Sequence, residues 1–314
     1  MKKSVVVVGG TNTDLCGESY SPIVREDSNI GKVTFSPGGV GHNIALNLSL
    51  MGEDVKFITA IGSDVFGGFL KESLSSALDI SHSLYTNERS DIYLYVSQPG
   101  GDMYVAVNDM ENIKRLDDAF IRENREIIKS ADAVVVEANL NAETVKEVSA
   151  HARSLVLADA VSTLKVDRLV PSFEHIDVFK PNLMELEYLY KKKIESREDL
   201  KKALFSVLDK GVGAVLLTLG RRGALYVSRE KAIYSPARKV EAVNTTGAGD
   251  SFLAGFAFGI LEWNDEEKAL RAATAASGIT ILSPDTVSKE MKRESIYKIM
   301  KEIETYDQIP GLFR

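Results

Sequence analysis

Short apolar runs that alternate with longer helical patterns constrain the fold of this 314-residue chain more than any other feature. The run at residues 5–8 consists of four valines and ends at Gly9 and Gly10, which is typical of a strand buried on both faces of a parallel sheet. Comparable runs recur at residues 55–61, 131–136, 154–158, 176–179 and 214–219. Because strands that alternate with helices form right-handed parallel crossovers, the pattern predicts an α/β fold with a doubly wound, mostly parallel sheet flanked by helices.

Other stretches predict a smaller sheet beside the main one. Residues 91–97 and 103–107 alternate apolar with polar side chains around a glycine-rich turn, which indicates a hairpin with one solvated face. We expect the segments 11–36 and 89–110 to form a small antiparallel sheet that projects from a single domain spanning 1–314. Such a flap could close over a substrate as a lid. Its exposed edges predict pairing with a second copy of the chain, as a homodimer.

Towards the end of the chain, residues 224–227 and 231–234 predict a second hairpin, and residues 266–282 and 289–306 predict two closing helices.

Composition excludes several classes of protein. A formal net charge of −7 without a dense basic block argues against a surface for nucleic acid or an anionic membrane. The single cysteine, Cys16, excludes an internal disulfide and a cysteine-rich zinc site, and it fits a reducing compartment. The valines after Met1 are too few for a secretory signal, and no apolar run approaches the ~18 residues of a membrane span. We therefore expect a soluble, cytoplasmic protein.

A polar, glycine-containing loop at residues 244–250 runs directly into the apolar helical stretch 251–261. The first amides of a helix lack intrahelical partners and lie at the positive end of its dipole, so such a loop can bind an anion. Glycines allow the backbone to approach that anion closely. Asp250 places a carboxylate where the anion would bind. From these residues alone, Asp250 is either a helix cap or a functional base.

A second glycine-rich stretch at residues 36–43 also precedes a helix. It indicates either close approach of a ligand to the backbone or tight packing of a helix on a strand. Asn43 can donate and accept hydrogen bonds, as a sugar diol requires, whereas His42 is interpreted as incidental. Asp14 follows the first strand at the edge where open α/β sheets bind ligands, and it is either a turn residue or a partner for hydroxyls.

Asn182 and Glu185 lie three residues apart and share one face at the start of a helix. Their oxygens suit a hydrated Mg²⁺, but the spacing is explained equally well by a capping box. The turn at residues 220–223 follows a buried strand and would either border a nucleotide or be an ordinary β-turn. Neither a P-loop nor a dinucleotide fingerprint is present in the sequence.

Taken in order, these features resemble the ribokinase-like (PfkB) family of carbohydrate and nucleoside kinases. The similarity extends from the first strand to about Ser283. It is carried by the stretch Gly38–Gly39–Val40–Gly41–His42–Asn43 and by a motif of the D-T-x-G-A-G-D type that ends at Asp250.

The resemblance implies a role for each matching position. Asp250 would be the base that accepts the proton of a sugar hydroxyl, and the amides of Gly247, Ala248 and Gly249 would form the anion hole. Substrate would be held by Asn12, Asp14, Gly38, Gly39 and Asn43. ATP and Mg²⁺ would be organised by Asn182 and Glu185, with Thr218, Gly220 and Gly223 bordering the nucleotide and Ala275 and Ser277 near the adenine. The motif begins with Asn244 where the family commonly has the Asp that helps hold potassium, which leaves monovalent activation open.

Residues 27–43 and 107–110 are similar to the branch of the family that phosphorylates the 5′-hydroxyl of pseudouridine. Asp27, Ser28, Asn29 and Asn108 are compact polar residues of the expected flap that can pair with an amide-rich base. Ribokinase, fructokinase and purine or pyrimidine nucleoside kinases remain alternatives, as does a ligand sensor without activity. A nicotinamide-dependent oxidoreductase is disfavoured because the fingerprint glycines are missing.

Overall fold

The computed structural model describes residues 2–307 and contains one large sheet, two small sheets and helices on both faces of the large sheet. The strands are β1 (Ser4–Val8), β2 (Asn12–Ser19), β3 (Gly31–Gly38), β4 (Asp54–Ile58), β5 (Ala60–Ile61), β6 (Leu84–Tyr85), β7 (Ile92–Ser97), β8 (Met103–Asp109), β9 (Ala133–Glu137), β10 (Leu155–Asp159), β11 (Val178–Lys180), β12 (Ala214–Thr218), β13 (Ala224–Ser228) and β14 (Ala232–Ser235). The α-helices are α1 (Val40–Leu50), α2 (Val65–Ser75), α3 (Asp118–Glu123), α4 (Arg125–Ser130), α5 (Ala142–His151), α6 (Leu183–Tyr190), α7 (Arg197–Leu208), α8 (Ala248–Trp263), α9 (Glu266–Thr280) and α10 (Arg293–Ile299).

The large sheet has the strand order β14-β13-β12-β11-β10-β9-β1-β4. All neighbours from β4 to β12 are parallel, and β13 and β14 add the predicted hairpin at one edge. The run of valines in β1 is continuous because both faces of the strand are buried. Val5 and Val7 belong to one hydrophobic core, and Val6 and Val8 belong to the other. The predicted doubly wound fold is confirmed.

The helices divide between the two faces of the large sheet. The first core receives apolar side chains from α1, α2, α8, α9 and α10, and the second receives them from α3 to α7. Within residues 2–307, no helix is both long and apolar enough to cross a membrane.

The smaller sheet has the order β3-β2-β7-β8 and comes from the two segments expected to form the flap. The expectation of a purely antiparallel sheet is wrong, because β2 and β7 pair in parallel whereas β2–β3 and β7–β8 are antiparallel. Each of the two segments supplies its own antiparallel pair, and these pairs meet through β2 and β7, which run in the same direction. The role of this sheet as a lid remains a prediction.

Two other predictions need correction. The helix expected at 289–306 is limited to α10 and a following 3₁₀ turn, since the chain then extends and Tyr306 exchanges backbone hydrogen bonds with Tyr234 on β14. These bonds partly cover an edge strand of the large sheet. The single strand expected at 55–61 is interrupted after Ile58, because β5 turns away to pair with β6.

The packing of α1 on β1 requires Gly41. A Cβ at this position would lie 2.8 Å from both the Cα and the carbonyl carbon of Gly9, and backbone atoms of a buried strand cannot move aside. Gly41→Ala should therefore destabilise the fold by about 1–3 kcal/mol, the usual cost of overpacking. Gly68 on α2 provides a matched control, since nothing lies within 4 Å of its Cβ position and Ala there should be neutral or stabilising. Urea unfolding compares the two variants, and the opposite order of stability would contradict this account of the packing.

Candidate active site

Four of the predicted site residues, Asn12, Asp14, Asn43 and Asp250, come together at the carboxyl edge of the large sheet. The connection from β1 leads to Asn12 and Asp14, α1 starts with Asn43 in its first turn, and α8 starts just before Asp250. The carboxyl ends of parallel strands meet at one edge, so distant parts of the chain come together there.

The loop before α8 holds Asp250 in place. Gly247 precedes the helix with φ 77°, and a Cβ on it would lie 2.3 Å from the carbonyl oxygen of Thr286, so only glycine fits there. No side chain caps the start of α8. The Asp250 carboxylate instead accepts a hydrogen bond from the Asn43 amide, with Nδ2 2.8 Å from Oδ2. The alternative that Asp250 serves as the helix cap is therefore not realised in this structure.

The amides expected to form the anion hole differ in their availability. Among residues 2–307, the amides of Gly247 and Gly249 have no acceptor, whereas the amide of Ala248 donates to the Thr245 carbonyl at 3.3 Å. Unpaired amides at a helix start can bind an anion, and here two of them lie beside Asp250.

Burial raises the pKa of the Asp250 carboxyl to about 7, and the negative charges of Asp159 and Asp14 act in the same direction. The positive charge of Lys180 and the hydrogen bond from Asn43 oppose this increase. A carboxyl group that titrates near neutral pH is well suited to accept a proton in a reaction. Its charge must be negative for that role, so activity that depends on it should decline as the pH falls below about 7.

Asn43 is itself oriented by His42. The two side chains are joined by a 3.2 Å contact between His42 Nδ1 and Asn43 Oδ1. Burial lowers the pKa of His42 to about 4, so the imidazole is neutral at neutral pH and its Nδ1–H can donate to the Asn43 oxygen. The amide nitrogen of Asn43 is thereby directed at Asp250. His42, which the sequence indicated to be incidental, therefore belongs to a hydrogen-bond network with Asn43 and Asp250.

Asn12, Asp14 and Gly38 form a second group. The Asn12 amide donates to Asp14 Oδ1 at 2.5 Å, and a Cβ on Gly38 would lie 2.3 Å from Asp14 Oδ2. Gly38 thus leaves the space that the Asp14 carboxylate uses, and burial raises the pKa of Asp14 to about 6. Gly39, with φ 105°, packs against Gly10 instead, so tight helix–strand packing accounts for this glycine.

The residues expected to read a base occupy two different places. Asn108 is paired with Tyr93, and Tyr93 with Asp14, so all three side chains share one face of the small sheet. Asp27 and Asn29 instead lie in an exposed turn, where the Asn29 side chain bonds the backbone of Val24 through both of its polar atoms. Ser28 is exposed in the same turn, and its amide donates to the Asp27 carboxylate. The structure shows no contact between these three turn residues and Asp250, Asp14 or Asn43.

On the expected nucleotide side, Asn182 and Glu185 form the capping box. The side-chain oxygen of Asn182, Oδ1, accepts a hydrogen bond from the backbone amide of Glu185 at 3.0 Å. In return, Glu185 Oε2 accepts one from the backbone amide of Asn182 at 2.7 Å. This bond occupies one carboxylate oxygen of Glu185, and Oε1 has no hydrogen-bond partner among residues 2–307. A carboxylate with one oxygen in reserve fits a hydrated Mg²⁺ held through water, so the cap and the metal role are compatible.

The remaining nucleotide residues differ in exposure. Thr218 ends β12 and bridges to Asn182, and Gly220 is exposed with φ 58° and open space at its Cβ position. Gly223 has φ 87° and no room for a side chain against the Ser235 carbonyl. Ala275 is fully buried in the first core, and its place near the adenine remains a prediction. Ser277 is partly exposed on α9, and its role remains a prediction.

The chain is similar to known proteins over nearly its whole length. The family model described as pfkB family carbohydrate kinase matches residues 2–293. The chain belongs to the pfkB family of carbohydrate kinases. It is therefore a phosphotransferase that acts on an alcohol group of a sugar or nucleoside, as the sequence resemblance implied.

Several relatives of this pfkB kinase have names that state an activity. A pseudouridine kinase of Escherichia coli (strain K12) is 29% identical over 308 residues, which cover 96% of this chain and 98% of the relative. A guanosine-inosine kinase of Exiguobacterium acetylicum is 27% identical over 90% of this chain and 95% of its own. The structure of Arabidopsis thaliana ribokinase complexed with ribose and ATP has a TM-score of 0.85 at 24% identity, covering 96% of this chain and 99% of that one. The last likeness shows the shared fold.

Three residues at the site of this pfkB kinase were not identified from the sequence. Glu137, the last residue of β9, is fully buried, and its Oε1 accepts from the Gly10 amide at 2.7 Å. Lys180 and Asp159 end β11 and β10 and form a buried ion pair at 2.8 Å. In the sequence, the signal for all three is a charged residue directly after an apolar run, at the carboxyl end of the predicted strand.

Asp250→Asn should lower the phosphoryl-transfer rate by about 10²-fold or more, the usual contribution of a general base, while leaving substrate binding largely intact. The asparagine oxygen can still accept the bond from Asn43, so the loop should keep its conformation. Steady-state rates and calorimetric binding measure the two effects separately.

Asp265→Asn is the matched control, because Asp265 caps α9 by accepting the Lys268 amide and is expected to have no part in the reaction. This variant should keep the wild-type rate, since Asn caps helices as well as Asp does. If Asp250→Asn retained more than about a tenth of the wild-type rate, Asp250 would not be the base.

Proposed function

We propose that this chain is an ATP-dependent kinase that phosphorylates the 5′-hydroxyl of pseudouridine to give pseudouridine 5′-phosphate. The observation that carries the kinase chemistry is the half-buried Asp250 carboxylate, held by Asn43 beside two unpaired amides at the start of α8. The choice of pseudouridine is supported by the relative named pseudouridine kinase and by the polar face of the small sheet.

The reaction transfers the γ-phosphoryl group from ATP to the hydroxyl. The hydroxyl oxygen forms a new bond to the γ-phosphorus, and its proton passes to the Asp250 carboxylate. The bond between the γ-phosphorus and the bridging oxygen breaks, and ADP leaves with that electron pair. The amides of Gly247, Gly249 and, after its weak bond to Thr245 is released, Ala248 stabilise the charge on the phosphoryl oxygens during transfer.

The substrate and the nucleotide would bind on opposite sides of Asp250. Asn12, Asp14, Gly38, Gly39 and Asn43 would surround the ribose, where carboxylate and amide groups can bond its hydroxyls. Thr218, Gly220, Gly223 and Ser277 would border ATP. Glu185, with Asn182, would hold Mg²⁺ through water, and the ion would neutralise charge on the phosphates.

Base recognition would use the face of the small sheet that carries Asp14, Tyr93 and Asn108. Pseudouridine joins its base to the sugar through carbon, so its ring has one more N–H donor than the ring of uridine. The Asn108 side-chain oxygen can accept a hydrogen bond from such a donor. Asp27, Ser28 and Asn29 would approach the base when the sheet closes as a lid, which requires movement of their exposed turn.

Coupled ADP release with Mg-ATP should give the highest kcat/KM for pseudouridine among pseudouridine, uridine, ribose, fructose and adenosine. Asn108→Ala should reduce the preference for pseudouridine over uridine by about fivefold, as expected for one lost hydrogen bond of ~1 kcal/mol. Asp102→Ala, at the tip of the same hairpin, is the control and should keep the preference. Preference for a free sugar or for adenosine would identify another kinase of the family, and binding without turnover of any substrate would indicate a sensor.

We also propose that the chain forms a homodimer through the opposite face of the small sheet. The paired row Phe35, Leu15, Leu94 and Val107 lies on the face away from Asp14 and is apolar throughout. Phe35 is 59% exposed and Val107 60% exposed, so the face is largely uncovered in a single chain. A contiguous exposed apolar face of this kind is typical of an interface between proteins.

A Val107→Asp substitution should shift the protein to a monomer in analytical ultracentrifugation, because a charge buried in an apolar interface is strongly unfavourable. Leu164→Asp is a suitable control, since Leu164 is exposed and lies outside the small sheet. That variant should keep the wild-type oligomeric state. A wild-type protein that sediments as a monomer at all concentrations would contradict the proposed dimer.

A further inference from the structure

The buried ion pair of Lys180 and Asp159 lies next to the proposed base and is not used by the mechanism above. Lys180 ends β11 and Asp159 ends β10, and the two residues are paired in register on neighbouring strands. Lys180 Nζ lies 2.8 Å from Asp159 Oδ2, and only 8% and 3% of the two side chains are exposed. A lysine is seldom buried to this extent without a specific partner, which here is Asp159.

The ammonium group of Lys180 points at the start of α8. A Cβ added to Gly249 would lie 2.8 Å from Lys180 Nζ, so the ammonium lies directly against the backbone at position 249. Gly249 is the residue directly before Asp250. The positive charge is therefore held against the backbone that carries both the unpaired amides and the base.

Asp159 is fixed by an unusual turn. Its Oδ1 accepts the amide of Val161 at 2.8 Å, while Oδ2 accepts from Lys180. Val161 has φ 60°, and the Ser162 amide bonds the Ala160 carbonyl at 2.6 Å around it. This is a strained conformation for a β-branched residue, and such strain persists where the surroundings impose it, often at functional sites.

The groups that face Asp250 come from four elements. Asp14 lies on β2, Asp159 at the end of β10, Lys180 at the end of β11, and the uncharged donor Asn43 on α1. Glu185 on α6 adds a carboxylate close to Lys180. Among these groups, Lys180 is the one cation that faces the carboxylates. Its removal would leave like charges together, which favours the neutral form of a carboxyl group.

We propose that Lys180 is a positioning residue for phosphoryl transfer, a fixed ammonium held by Asp159 that keeps Asp250 anionic and able to accept the proton. The inference rests on the proposed kinase function, in which Asp250 is the base. Lys180 acts through the charge state of Asp250 and does not contact the transferred group.

The directions of the pKa shifts agree with this geometry. Burial lowers the pKa of Lys180, but the charges of Asp159, Glu185 and Asp250 outweigh it, so the pKa is raised overall and the ammonium stays protonated. For Asp250, Lys180 lowers the pKa and Asp159 raises it. The two members of one ion pair therefore have opposite effects on the base.

The pH dependence of kcat tests the proposal. The acid limb of the profile is the part where kcat falls as the pH is lowered, and removal of Lys180 or of Asp159 should shift it in opposite directions. Lys180→Met keeps the side-chain length and removes the charge, so the acid limb should move up by about one pH unit. At a pH below the limb, kcat should then fall about tenfold and recover at alkaline pH. Asp159→Asn should move the limb down. Lys180→Arg, which keeps the charge, should leave the limb at its wild-type position even if kcat is lower.

Glu53→Gln is the matched control, because Glu53 is buried and accepts a 2.7 Å bond from Arg293 in an ion pair of its own. It should lower thermal stability without moving the limb. Limbs that stay in place, or that move in the same direction in Lys180→Met and Asp159→Asn, would overturn the proposal. If Lys180→Met does not fold, the other two variants still test the proposal. The acid limb should move to lower pH in Asp159→Asn and stay in place in Lys180→Arg. An inactive wild-type protein would refute the proposed function instead, so the two failures are distinguishable.

Discussion

The hydrogen bond from Asn43 to Asp250 joins residues 207 positions apart, and the geometry of the site depends on it. It connects the first turns of α1 and α8, two helices that pack on the same face of the large sheet. Each helix starts directly after a glycine with positive φ, Gly39 for α1 and Gly247 for α8. Because the bond lies between two packed helices, the Asp250 carboxylate is positioned by the core, which is how precise sites are usually supported.

Charge balance is the second constraint on this site. Three carboxylates, those of Asp159, Glu185 and Asp250, interact with the ammonium of Lys180, and Asp14 is a further carboxylate that acts on Asp250. Burial and the negative charges of Asp159 and Asp14 raise the pKa of Asp250, and the positive charge of Lys180 lowers it. The charge state of Asp250 therefore depends on residues from several other elements as well as on the helix that carries it.

Much of the fold could be predicted because local patterns report burial. The continuous valines of β1 indicate a strand covered on both faces, and each face proved to pack in its own core. Prediction was wrong where the partner of a segment decided its form. Residues after α10 could continue a helix by pattern, yet Tyr306 bonds Tyr234 at a sheet edge. The parallel pairing of β2 with β7 likewise joins segments that have no local signal for each other.

The sequence by itself determined the family, the glycines that start the two key helices, and the identity of Asp250 and Asn43 as chemically able residues. It left equal weight for Asn182 and Glu185 as a cap or a metal site, and the structure shows that the cap uses only one oxygen of Glu185. Only the tertiary structure decided that Asp250 bonds Asn43 and does not cap its helix, and that Lys180 and Asp159 lie beside it. The physical reason is that the two kinds of property depend on residues at different separations along the chain. Backbone conformation depends mainly on neighbours along the chain. The charge state of the Asp250 carboxyl depends instead on residues at the ends of other strands, which tertiary folding brings close to it.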